Sequence, residues 1–138
     1  MYRVNEERMF YDLADNQAVV IDTATGVYYA MNVLGSMVFD YLAKGADPQS
    51  IVAFLKKTEG CPSDIETRMG DFVARALSFG LLEKAETSQD VTVAIDQNLM
   101  GNFNMAVDRF EDAVELMMAD PVHDVDLEEG WPIVNQND

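Results

Sequence analysis

Apolar and polar positions alternate in short bursts from Arg8 to Met31 and recur at helical spacing beyond that point. The segments "MFYDL", "AVVID" and "VYYAM" are β-branched or aromatic, and the turn-rich "ADNQ" and "TATG" separate them. Three short antiparallel strands are the economical reading, with Gly26 after Thr25 where a tight turn needs positive φ. At Asn32 the period changes. Asn32 is a good N-cap, Leu34, Val38, Tyr41 and Leu42 form a helical stripe, and Gly45 stops it. A second helix opens at Asp47-Pro48, buries Ile51, Phe54 and Leu55, and ends at Gly60-Cys61-Pro62. The third is predicted to start at Ser63, with Glu66 completing a capping box. It carries Ile65, Met69, Phe72, Val73 and Ala76 and closes in "FGLL" at Gly80. Residues 1–86 thus form one α+β unit.

Residues 87–138 follow a different pattern. "ETSQD" is a polar linker, and "VTVAI" (91–95) alternates as a strand does, with Val91, Val93 and Ile95 on one face. Leu99, Phe103, Ala106, Val107, Phe110, Val114 and Met117 then make an apolar stripe that predicts an amphipathic helix over about 99–119. Asn104, Asp108, Glu111, Asp112 and Glu115 form its acidic back. Pro121 ends that helix, and the polar residues after it predict a flexible tail.

Charge sharpens this division. The chain has 9 basic and 25 acidic side chains, a formal net charge of -16. Residues 1–86 hold 8 and 13 of them (net -5), and residues 87–138 hold 1 and 12 (net -11). Such a field repels phosphate backbones, so nucleic-acid partners are not expected. A single cysteine, Cys61, permits no intrachain disulfide and fits a reducing compartment. "MYRVNEERMF" lacks a basic and apolar signal pattern, and no run has the length to cross a bilayer, so a cytoplasmic protein with no membrane partner is expected.

Catalytic chemistry finds few residues. His123 is the only histidine, and one Cys with one His cannot build a zinc site. The tail acids Asp124, Asp126, Glu128 and Glu129 lack EF-hand spacing, and no glycine cluster cradles a phosphate. The expectation is a non-enzymatic binding protein with no catalytic residue, metal or cofactor.

One ordered set of residues is more specific: Asp22, Thr25-Gly26, Tyr28-Tyr29, Met31-Asn32, Gly35, Val38-Phe39, Leu42, Ile51, Leu55, Phe72, Leu77 and Gly80-Leu81-Leu82. Over about residues 8–86 this resembles the PqqD-like family, the recognition elements of ribosomal peptide modification, with Met31 where Leu is usual and Phe39 where Trp is common. The resemblance implies a winged-helix-like domain that binds the leader of a precursor peptide as an added strand. It also implies a partner that modifies the peptide, such as a radical-SAM protein or a cyclase. The leader would lie beside the third strand, Val27, Tyr28, Tyr29, Ala30 and Met31, and against the third helix.

On that helix Arg68, Phe72, Arg75 and Phe79 share a narrow arc beside the core stripe. Guanidiniums alternating with phenyl rings can seat an acidic, apolar peptide. The same four also fit plain packing, with both rings in the core and the Arg stems covering apolar surface. Tyr28 and Tyr29 point to opposite faces of their strand, and the sequence leaves open which faces the core.

The resemblance does not cover the extension, for which three readings stand. "VTVAI" could fill the peptide groove of its own domain or a neighbour's. The extension could itself be substrate, with Trp131, Asn135, Asn137 and Asp138 the positions of interest. Or the amphipathic helix could serve oligomerisation or enzyme docking. A structural module on the same scaffold is the other function class.

Overall fold

Between Ala14 and Gln17 the chain reverses through Asp15 and Asn16, both at positive φ (52° and 64°), the conformation that matches the twist of a two-residue hairpin. The computed structural model describes residues 2–86 and 89–111. Within them the chain is α+β, with six strands in two antiparallel sheets and three helices. In order these are β1 (Tyr2–Val4), β2 (Met9–Ala14), β3 (Gln17–Asp22), β4 (Tyr28–Met31), α1 (Val33–Ala43), α2 (Pro48–Lys56), α3 (Ile65–Ser78), β5 (Leu82–Lys84) and β6 (Val107–Phe110). A single 3-10 turn spans Gln97–Leu99. One sheet pairs β1 with β5, and the other runs β2-β3-β4-β6.

The expected three strands are present as β2, β3 and β4, and the turn before β4 uses Gly26 at φ 78°. Asp22 organises that turn. Its carboxylate accepts from Ala24 N at 2.9 Å and from Arg8 Nε and Nη2 at 2.7–3.0 Å, while the residue is 2% exposed. Alternation along β4 settles the tyrosines: Tyr29 and Met31 are buried, and Tyr28 and Ala30 face outward, half-buried.

All three expected helices form. Asn32 caps α1, and Asp47 caps α2 by accepting from Gln49 N at 2.9 Å. Ser36, fully buried in α1, accepts from Ala18 N at 2.7 Å and donates to Asn32 O at 2.8 Å, tying the helix to β3. The expected capping box of α3 is absent. Asp64, not Ser63, precedes the helix and makes no side-chain cap, and Glu66 pairs with Lys56 of α2 instead. Asp64 has φ -97° and ψ 23°, outside the extended geometry from which a cap reaches back to the helix.

The extension departs most from expectation. The predicted helix over about 99–119 is replaced, in its described part, by the end of the 3-10 turn, a turn at Gly101–Asn102 and strand β6. Residues 112–119 of that helix and the expected tail lie outside the described residues. Residues 91–95 join neither sheet, although their alternation holds, with Val91, Val93 and Ile95 more buried than Thr92 and Ala94. Ile95, Met100, Phe103 and Val107 pack into the same core as Phe39, Leu42, Ile51, Leu55 and Phe72. Gly45 permits the return of the chain: its carbonyl accepts from Gln89 N at 2.9 Å, and a Cβ there would meet Gln89 Cγ at 2.6 Å.

Candidate functional site: the β4 edge

A strand of an open sheet has two hydrogen-bonding edges, and β3 takes one edge of β4. The chain's own β6 takes the other, antiparallel, with Tyr28 opposite Phe110, Tyr29 opposite Arg109, Ala30 opposite Asp108 and Met31 opposite Val107. Val107 shares the core face with Met31 and is 1% exposed. Phe110, an odd number of residues away, lies on the other face beside Tyr28 and is 8% exposed. β6 also touches α3, so the strand sits in the angle between sheet and helix.

The approach to β6 is held by side chains that read backbone. Asn32 makes a two-sided clamp. Its Oδ1 accepts from Gly35 N (2.9 Å) and from Ala106 N (3.0 Å), its Nδ2 donates to Asn104 O (2.8 Å), and its own N donates to Ala106 O (3.2 Å). Gly35 makes room for this. A Cβ there would stand 2.7 Å from Asn32 Oδ1 and 3.0 Å from Ala106 O. On the other flank Arg68 Nη1 donates to Asn102 O (3.1 Å), with Phe103 O at 3.4 Å, while its Nε is held by Asp64 at 2.9 Å. Phe103 sits between these clamps at φ 64°, a left-handed conformation costing about 1–2 kcal/mol in a residue with a side chain. Burial of its ring, 6% exposed, offsets this by about 1.5–3 kcal/mol. Further along, Tyr41 Oη donates to Ala94 O (2.7 Å) and accepts from Ala94 N (3.0 Å).

Of the residues expected to bind peptide, Tyr28, Tyr29, Ala30, Met31 and Arg68 meet this segment directly. Tyr28, Tyr29, Ala30 and Met31 form the ladder with β6, whereas Val27, buried just before it, turns its carbonyl to Asp22 N (2.8 Å). Arg68 clasps the approach. Phe72 is core, 2% exposed. Phe79 packs its ring on Tyr29, centroids 5.0 Å apart and planes at 40°. Arg75 is exposed, and its side chain has no hydrogen bond or ion pair with the described residues. Arg109 covers the Tyr29 position, and its pKa is raised above the usual arginine value, first by the hydrogen bond to Glu111 and then by Tyr29.

Sequence reasoning placed Asn32 as a helix cap and Gly35 in a motif, but gave neither a part in binding. One of its three readings of the extension set 91–95 as a strand beside β4, but those residues join neither sheet and 107–110 pair with β4 instead. The available signal was the spacing of Asn32 and Gly35 directly after an aromatic strand. Among the described residues no three His, Cys, Asp or Glu side chains gather to hold a metal, and no helix is long and apolar enough to cross a membrane. Compared with protein-family models, curated proteins and solved structures, the chain matches none.

Proposed function

We propose that the chain is a non-catalytic, cytoplasmic peptide-recognition protein of the PqqD-like, winged-helix-like kind. It takes the leader of a ribosomally made precursor peptide as a strand on the edge of β4 and presents it to a modifying enzyme. The observation that carries this reading is the seated segment: an extended stretch of peptide lies on that edge, fixed by Asn32 on one side and Arg68 on the other. Strand addition of this kind draws affinity from main-chain hydrogen bonds and specificity from alternate side chains. In the chain as it stands its own residues hold the seat.

The test replaces Thr87-Ser88 with a protease site and cuts the folded chain there. The 89–138 piece is expected to stay bound on gel filtration and to exchange with an excess of labelled peptide of residues 99–111. Separation on cutting, or a complex that takes up no labelled peptide over days, would refute binding by exchange and leave β6 a fixed structural strand. The burial of Phe103 and Val107 in the shared core favours that second reading. A third follows from the order of the chain: residues 112–138 continue directly from the seated strand, so the chain would carry its own tail to the enzyme. Mass shifts at Trp131, Asn135, Asn137 or Asp138 after co-expression with a modifying enzyme would establish it.

A further inference from the structure

The seat is uneven along its length. Phe103, Val107 and Phe110 are buried, whereas Asn104, Asp108 and Arg109 are exposed, so side chains are enclosed at the first, fifth and eighth positions of an eight-residue stretch. Between the first and fifth positions the hydrogen bonds from Asn32 and Arg68 all go to backbone, while Met105 at the third packs half-buried against the core. Arg68 takes the carbonyls of residues 102 and 103, and Asn32 takes the carbonyl of residue 104 and both the N–H and carbonyl of residue 106. Each contact sets a rule. The fourth position must carry an N–H, which excludes proline. A carboxylate at the fifth would be buried beside Met31 with no hydrogen-bonding partner. Gly35 lies against the backbone of the fourth residue, which fixes the register at that point.

We infer that the β4 edge selects a separate extended peptide by register. It needs an aromatic residue at position one, any residue but proline at four, an aliphatic residue at five and an aromatic residue opposite Tyr28 at eight. This rests on the peptide-binding reading above and names the class of peptide it takes. The chain's own Phe103–Phe110 is the pattern such a peptide copies, and exposed positions two, six and seven are free to vary.

The experiment uses the chain cut at residues 87–88, both pieces present, with a fluorescent peptide of residues 99–111 as probe and unlabelled peptides as competitors. The native peptide and its Asp108→Lys variant are expected to compete within about threefold of each other, because position six is exposed. The Val107→Asp and Ala106→Pro peptides are expected to be weaker by about tenfold or more. In an Asn32→Asp chain the cap oxygen remains but the donor to Asn104 O is gone, and native peptide is expected to bind about fivefold more weakly. Equal competition by Val107→Asp and native peptides would overturn the register while leaving strand binding intact. Failure of every peptide, the native one included, would instead remove the peptide-binding reading. Uncut chain that sediments as a dimer at rising concentration would give the seat to a second copy's segment and overturn the separate-peptide assignment.

Discussion

Gly35→Ala sets two opposing effects against each other. Inside a helix, replacing Gly by Ala ordinarily stabilises by about 0.8–1 kcal/mol. At this position the new Cβ would stand 2.7 Å from Asn32 Oδ1, 3.0 Å from Ala106 O and 3.2 Å from Ala106 N. Something must move, and each movable group is in use. Shifting Asn32 Oδ1 gives up the cap on Gly35 N, worth about 1 kcal/mol, and its bond to Ala106 N, worth about 1 more. Shifting residue 106 gives up its backbone bond with Asn32 and strains the start of β6, at a further cost of about 1 kcal/mol. The losses come to about 2–3 kcal/mol against a gain of about 1, so the variant should be about 1–2 kcal/mol less stable. Urea denaturation reads the total, and hydrogen exchange at Ala106 N–H reads the local part. A Gly35→Ala chain more stable by about 1 kcal/mol would show that residues 104–106 are not seated on this turn.

Four further outcomes follow from the same structure. Arg68→Ala should speed exchange of the β6 ladder amides by about 5–30-fold, because the loss of its clasp on residues 102–103 removes about 1–2 kcal/mol from the closed state. Ser36→Ala strands the buried Ala18 N–H, costing about 1–3 kcal/mol against about 0.5 gained in helix propensity, and should lower the urea midpoint. Asp22 has its pKa lowered to about 2, chiefly by the Arg8 hydrogen bonds and against the opposing effect of burial. Its stabilising contribution is therefore full above about pH 4 and lost as pH falls through about 2, and a carboxyl NMR midpoint of about 4 would refute the pairing. Tyr11 is pushed up to about 12, first by burial and then by its hydrogen bond to Asp40. The stability it adds should persist below about pH 10 and fade as pH rises through about 12, as followed by phenolate absorbance and denaturation together.

The body of the fold was legible because its signals are local. "ADNQ" makes its turn with Asp15 and Asn16, Gly26 takes positive φ, and Asn32, Asp47 and Gly45 mark helix ends from a few neighbours each. The outermost strands were not legible. β1 and β5 are three residues long and find each other across the whole body, so neither carries a pattern of its own. The extension misled for a specific reason. Val107 and Phe110 stand three apart, as on a helix face, but here they are buried on opposite faces of one strand, Val107 against Met31 and Phe110 beside Tyr28. Gly101-Asn102 makes a turn inside the stripe that the helix reading ran through, and Asn104, read as part of the helix's polar back, lies between that turn and β6. For the site, residue identity on β4 and α3 was readable. The clamp on Asn32 was not, because three of its four hydrogen bonds are to residues about seventy positions away.

The order in which the sheet is numbered along the chain also sets a clock. Met31 and its partner Val107 are about 75 residues apart, so a chain made at roughly 5–20 residues per second completes β4 about 4–15 s before β6 exists. During synthesis residues 28–31 exist for that interval without the segment that pairs with them. On the proposed peptide-binding reading, a peptide that reached β4 in that interval would have no β6 to displace, whereas one arriving later would. On that reading, loading during translation would be limited by time, and loading afterwards by the stability of β6.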